Sequence, residues 1–294
     1  MIYETADDWL NAPEKRVLLF GMSGLGKTRL ASLLRADAAS GGWFHYSIDY
    51  RIGTRYMGEY IADNAKAEAM KVPFLRDLLM TDSIYIGSNI TFDNLKPVST
   101  YLGKPGDAAK GGLPIALYRQ RQEQFREAET RALLDTPYFI DRAQALYGYP
   151  NFVCDTGGSI CEWVDPADPG DPILTALSRS SLMIWIEGSE AHTEALVQRF
   201  DRAPKPMSYS PAFLTGAWEG YLAETGLAET SVDPDAFIRW TYARALAHRQ
   251  PLYSAMAARW GVTVTAEEVA QVEDASGFEA LVAEALRRRK TLNS

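Results

Sequence analysis

Hydrophobic and polar positions fall into alternating blocks along the chain. Arg16-Val17-Leu18-Leu19-Phe20 is a compact apolar run, the pattern of a parallel strand buried on both faces. A glycine-rich stretch follows, then a helix predicted over 28–39 and stopped by Ser40-Gly41-Gly42. Further strands are predicted at 44–49, 151–156, 182–187 and, shorter, 261–265. The second of these five ends in an acid, Asp49. Helical spacing recurs at 57–70, 73–80, 115–135, 137–147, 190–201, 212–225, 234–259 and 276–290. Thr265-Ala266-Glu267-Glu268 has the form of a capping box. Residues 87–114 are rich in Gly, Pro, Asn and Ser and predict a mobile loop, with another loop at 203–211.

Strands alternating with helices imply a parallel sheet covered on both faces. The expected fold is therefore α/β: a five-stranded parallel sheet in three α/β/α layers. Residues 1–294 form one domain in this reading, and 50–150 a long, mostly helical insertion on the acceptor side. Ligands of such sheets bind at the C-terminal ends of the strands. Gly21, Asp49, Asp155 and Glu187 all fall at such ends, so four strands direct polar groups to one place.

Composition narrows the function classes. Hydrophobic residues make up 47% and charged residues 23%, enough for an ordinary core without a disulfide or metal staple. The net charge of −8 argues against broad nucleic-acid binding, which needs a basic footprint. No apolar run approaches the length of a membrane span, and the acidic start MIYETADDWL is unlike a signal peptide. Cys154 and Cys161 lack zinc-site spacing and read as reduced, cytoplasmic thiols. His45, His192 and His248 also lack metal spacing and read as structural. Trp163, Trp185, Trp218 and Trp240 read as core, and the arginines 119, 121, 126 and 131 as the solvated face of a charge-dense helix.

The chemistry is carried by Gly21-Met22-Ser23-Gly24-Leu25-Gly26-Lys27-Thr28, which fits the P-loop pattern GxxxxGK[ST]. Its glycines let the backbone curl until its N–H groups face phosphate, and the next helix adds its positive end. Lys27 would reach the β- and γ-phosphates of ATP, and the Thr28 hydroxyl would bind Mg²⁺. Gly21, Ser23, Gly24, Leu25, Gly26 and Arg29 complete the nucleotide-binding set. Phe152-Val153-Cys154-Asp155 has the form of a Walker B strand, with Asp155 as the carboxylate of the metal shell. Asp49 could orient an acceptor hydroxyl, accept its proton, or join the metal. Arg51 and Arg55 could clamp an anionic acceptor.

Five segments together resemble the P-loop small-molecule kinases of the shikimate kinase and gluconate kinase type. They are GMSGLGKT, Ile48-Asp49-Tyr50-Arg51, the turn Asp155-Thr156-Gly157-Gly158-Ser159, MIWIEGSEAHTEALVQRF, and Arg249-Gln250-Pro251-Leu252-Tyr253-Ser254-Ala255-Met256-Ala257. The first and last are the most specific. The stretch between Asp49 and Gly157 is longer than in compact members, and Ser159 stands where the family's turn has a third glycine. The resemblance implies transfer of the γ-phosphoryl group of ATP to a hydroxyl of a small anionic metabolite. A nucleotide-sugar is the larger alternative, as in zeta-type toxins. It implies Lys27, Asp49, Asp155 and a lid arginine, Arg199 or else Arg202, as catalytic residues. Arg202 joins the nucleotide site, and Gly157 and Gly158 the acceptor site. The rival reading is a P-loop ATPase that acts as a switch, its insertion binding a protein partner.

Overall fold

The computed structural model describes residues 1–37 and 41–292. In chain order the elements are α1 (Ala6–Asn11), β1 (Arg16–Phe20), α2 (Lys27–Ala36), β2 (Trp43–Ser47), α3 (Ile48–Arg51), a π-helical turn (Ile52–Tyr56), α4 (Gly58–Ala69) and α5 (Pro73–Met80). Next come α6 (Lys96–Leu102), a 3₁₀ turn (Ala108–Lys110), α7 (Ile115–Leu134), α8 (Thr136–Tyr147), β3 (Asn151–Asp155), a second 3₁₀ turn (Ile160–Glu162) and α9 (Pro172–Ser180). The chain continues through β4 (Leu182–Glu187), α10 (Glu190–Arg202), α11 (Pro211–Thr225), a third 3₁₀ turn (Glu229–Ser231), α12 (Pro234–Trp260), β5 (Gly261–Thr265), α13 (Ala266–Ala270) and α14 (Ala275–Leu292).

The class is α/β. The five strands form one sheet in the order β2-β3-β1-β4-β5, and every pairing is parallel. This sheet and its helices are compatible with a three-layer α/β/α fold. Val17 to Phe20 of β1 are fully buried, as a central strand flanked by β3 and β4 requires.

The chain divides into two compact units. The first takes in 1–48, 133–203 and 242–294 and contains the sheet. Its helices are set by local signals: capping boxes start α1 at Thr5, α10 at Ser189 and α13 at Thr265. An aromatic cluster of Trp9, Trp43 and Phe278 joins α1, β2 and α14 in this core.

The second unit takes in 49–132 and 204–241. Trp218, Tyr221 and Phe237 pack edge to face at its centre. The buried Arg121 guanidinium donates to the Tyr101 carbonyl and, at 2.7 Å, to Asn64 Oδ1, and lies over the Tyr101 ring. Gln122 donates to the Met207 carbonyl at 3.0 Å and accepts from the Tyr209 amide at 2.9 Å, so α7 anchors the 203–210 loop.

Several expectations change. Residues 87–114 are not a plain loop: α6 buries Val98, Tyr101 and Leu102, an i, i+3, i+4 stripe too short to stand out among glycines and prolines. Arg121 leaves the solvated face for the core, while Arg126 and Arg131 keep the surface pairs with Glu123 and Glu127. Of the four tryptophans, Trp185 and Trp218 are buried and Trp163 and Trp240 half-buried. β2 ends at Ser47, so Asp49 lies two residues past the strand, inside the one-turn helix α3. The expected helix stop at Ser40, with the end of the 28–39 helix, lies outside the described residues.

Candidate functional site

The site is built at the C-terminal edge of the sheet in the first unit. Register places Asp155, the last residue of β3, beside Leu19 of β1 and Ser47 of β2. The chain leaves β1 at Gly21 with a φ of +133°, and an added Cβ would stand 2.7 Å from the Ile186 carbonyl oxygen. A side chain there would wedge β1 away from β4, so only glycine lets the strand turn so close to its neighbour. The curl ends at Gly26, whose φ of +99° and ψ of +3° make it a left-handed N-cap for α2. No side chain caps that end, so the first amides of α2 point outward as a site for an anion.

Lys27 folds back along this curl. Its ammonium donates to the carbonyls of Gly21 and Met22, both at 2.8 Å, and the residue is 6% exposed. One turn of backbone is thus tied around a buried positive charge. Beside it, Thr28 Oγ1 donates to Asp155 Oδ2 at 2.9 Å, and His45 Nε2 lies 3.1 Å from Asp155 Oδ1. A hydroxyl, a carboxylate and an uncapped helix end therefore share one edge of the sheet.

Other elements close on the turn. The Arg199 guanidinium, from α10, and Leu196 Cδ2 occupy the space a Cβ on Gly24 would need. Leu25 is buried, with its methyls against Gly188 after β4. Gly158 lies against the Ser23 amide, its would-be Cβ only 3.3 Å away. That second turn is fastened from α12: Tyr253 donates its phenol to the Gly158 carbonyl at 2.5 Å. Burial pushes the Tyr253 phenol well above its ordinary pKa, which keeps it a donor. Arg249, one turn earlier on α12, pairs with Glu162 at 2.6 Å. Burial, the largest single influence, pulls its pKa down, but the Glu162 charge together with Tyr253, Cys161 and the hydrogen bond to Glu162 holds it above the ordinary guanidinium value.

The remaining expected residues have other settings. Arg29 reaches the carbonyls of Val269 and Val272 at 3.4 and 3.5 Å, on α13 and the turn after it. Arg202 is exposed in the last turn of α10. Gly157 is half-buried beside Gly158. Asp49, Arg51 and Arg55 belong to the second unit. There Asp49 is half-buried, the Arg51 guanidinium lies 5.3 Å from the Tyr56 ring centroid, and Arg55 is exposed.

The sequence reading gave no site role to Arg249, Glu162, Tyr253 or His45. His45 had a readable signal: in a strand it shares a face with Ser47, and β2 beside β3 brings that face towards Asp155. His192 is structural, capping α10 with Ser189 and lying 3.3 Å from Glu267. Both cysteines are buried, and among the described residues neither forms a disulfide. Among the described residues no helix is long and apolar enough to cross a membrane, and no three of His, Cys, Asp and Glu gather as a metal-binding group.

No family model and no curated protein matches this chain.

Proposed function

We propose that this chain binds ATP with magnesium at the 21–28 turn and transfers the γ-phosphoryl group to a hydroxyl of a small anionic acceptor. One observation carries the reading. A glycine turn curls at the uncapped N-terminus of α2, with Lys27 folded into it and Thr28 bonded to a carboxylate at the tip of the neighbouring strand. Each part matches a need of triphosphate binding: oriented amides, a cation, and oxygen donors for a hard metal.

The donor set fits magnesium better than zinc. Mg²⁺ takes one or two protein oxygens and completes its shell with water and phosphate, and the site offers Thr28 Oγ1 with Asp155 behind it. Magnesium would neutralise charge on the phosphoryl oxygens. The chain's own residues do the rest. The amides of the turn and of α2 hold the phosphate chain. Lys27 exchanges backbone carbonyls for phosphate oxygens. Arg199, packed on Gly24, adds a planar donor next to the same turn. Asp49, in the one-turn helix that follows β2, serves as the group that orients the acceptor hydroxyl and takes its proton. Arg51 and Arg55 supply positive charge for an anionic acceptor.

A second reading has its own observation. α5 buries none of its residues, and Phe74, Met80 and Tyr85 are 71%, 72% and 92% exposed. Such apolar exposure favours a nucleotide-driven switch whose second unit docks a protein partner.

The test is ATP turnover and labelled-ATP binding, each with a panel of hydroxylated anionic metabolites and nucleotide-sugars. The kinase reading expects stoichiometric phosphorylation of an acceptor. Turnover that responds only to a protein would favour the switch. Lys27→Ala should remove binding while the circular-dichroism spectrum stays unchanged. Undiminished binding by that variant would sink both readings.

A further inference from the structure

Asp155 is held at both of its oxygens. Thr28 Oγ1 donates to Oδ2 at 2.9 Å, and His45 Nε2 stands 3.1 Å from Oδ1. An ionised carboxylate only accepts, so the hydrogen of this second bond belongs to His45 Nε2. Both side chains are buried, 2% exposed for His45 and 6% for Asp155. In that setting a hydrogen bond to charge is strong, and losing one leaves a costly buried acceptor.

We propose that His45 is the positioning residue of the magnesium site, fixing the rotation of the Asp155 carboxylate through its Nε2–H. The inference rests on the nucleotide-binding reading above and deepens it. Asp155 touches Thr28 but needs a second anchor, because a carboxylate held at one oxygen can still turn about its Cβ–Cγ bond. Rotation would carry its lone pairs away from the Thr28 hydroxyl and from any metal-bound water. His45 closes that freedom from the adjacent strand. β2 pairs with β3 through residues 43 to 47, so the imidazole is delivered by the sheet itself and not by a loop. An apolar residue would pack at a buried strand position without the penalty of an imidazole. The imidazole is instead committed to one oxygen of the carboxylate that Thr28 holds by the other. Partners of this kind around metal sites change metal affinity by about 10- to 100-fold when removed.

The experiment uses three variants of the full chain: His45→Gln, His45→Asn and His45→Leu. Gln can place its amide N–H near the position of Nε2, whereas Asn is one carbon short and cannot reach Oδ1. Binding of a fluorescent ATP analogue is measured in EDTA and across a Mg²⁺ titration, each variant being normalised to its own metal-free affinity. Bound Mn²⁺ is counted in parallel by electron paramagnetic resonance. The expected result is that His45→Asn and His45→Leu raise the half-saturating metal concentration about tenfold or more, while His45→Gln stays within about threefold of the wild type. Equal shifts for Asn and Gln, or no shift in either, would overturn the positioning role and leave the nucleotide site standing. A wild-type chain that binds no analogue even at saturating Mg²⁺ would overturn the nucleotide site and this role together. Should His45→Leu fail to fold, the Asn and Gln pair still decides. Failure of all three to fold would make His45 a packing residue and end the proposal.

Discussion

Arg249 and Glu162 form an ion pair in which Nε and Nη2 both reach Oε1 at 2.6 Å, with side chains 4% and 0% exposed. The pair ties α12 to the 3₁₀ turn that follows Gly157-Gly158, and the Tyr253 phenol adds a second tie four residues along. Burying two charges costs desolvation that their attraction roughly offsets, but breaking such a pair from one side is costly. Glu162→Gln leaves the Arg249 charge buried without its carboxylate. It should lower stability by about 3–5 kcal/mol. Replacing both residues by Met should recover most of the loss, and urea melts of the three proteins check this. The Arg249 contribution should not vary with pH in the working range. Its folded pKa is raised, so its stabilisation is complete below the ordinary guanidinium pKa and is lost only as pH rises through the still higher folded value.

Two of the three positive-φ glycines of the curl, Gly21 and Gly26, should differ sharply in tolerance. At Gly26 an added Cβ meets nothing nearer than Val269 Cγ1 at 3.7 Å, so Gly26→Ala pays only for its left-handed backbone, about 1–2 kcal/mol. At Gly21 the new Cβ would lie 2.7 Å from a backbone carbonyl of β4, which cannot swing aside as a side chain can. Backbone strain and overpacking then add, to about 3 kcal/mol or more. Chemical denaturation should rank Gly21→Ala well below Gly26→Ala. Equal losses would mean that β4 yields more easily than its place inside the sheet suggests.

Arg199 should act on turnover more than on binding. It is exposed at its own end of α10 but stacked on Gly24, so charge developing on a transferred group would find it close by. Arg199→Ala should cut kcat by about 10³-fold while the nucleotide Kd changes little. Arg199→Lys should recover little, because an ammonium lacks the planar fork. Steady-state kinetics beside direct binding measures the split. A Kd that worsens in step with kcat would assign Arg199 to ground-state binding instead.

How much of this was legible differs from element to element. β1 and β4 were readable because buried parallel strands are unbroken apolar runs, and the turn at 21–28 because its glycines sit at fixed spacing before a lysine and a threonine. The acid at the end of β3 was readable for the same reason: Asp155 ends an apolar strand. Asp49 was misplaced because Tyr46-Ser47-Ile48 reads equally well as strand, whereas the backbone turns helical at Ile48. α6 was hidden because its three buried side chains lie among turn-forming residues, and its stability comes from contacts distant in sequence. The Arg249–Glu162 pair was out of reach for a related reason: it joins a helix to a turn distant in sequence, and no local spacing encodes it. The His45–Asp155 bond was readable only in part, since the strand face of His45 could be seen but not that β2 lies beside β3.

Excising 87–114 should damage the second unit and spare the first. The segment supplies Ile90 and Val98, which pack on Gly53, and the Tyr101 carbonyl that receives Arg121. Replacing it with a short Gly/Ser linker removes this packing and leaves a buried guanidinium short of an acceptor. A two-step or lowered melting transition with labelled-ATP binding retained is the expected outcome. Loss of nucleotide binding as well would show that the units do not fold independently.

Asp49→Asn separates two accounts of that acid. In the first turn of α3 a carboxylate is favoured by the helix end alone, a contribution of about 0.3–1 kcal/mol that Asn would partly keep. On this account the variant should melt slightly earlier and turn over normally. As an acceptor base, Asp49 must be ionised, and Asn can neither take the hydroxyl proton nor attract it as strongly. Phosphoryl transfer should then fall by about 10²–10⁴-fold with ATP affinity nearly unchanged. Equal falls in transfer and in ATP affinity would give a third answer, a place for Asp49 beside the metal with Thr28 and Asp155. Parallel measurement of acceptor phosphorylation, ATP hydrolysis and analogue binding on one preparation distinguishes all three. Only the middle pattern leaves Asp49 as the residue through which the acceptor is activated.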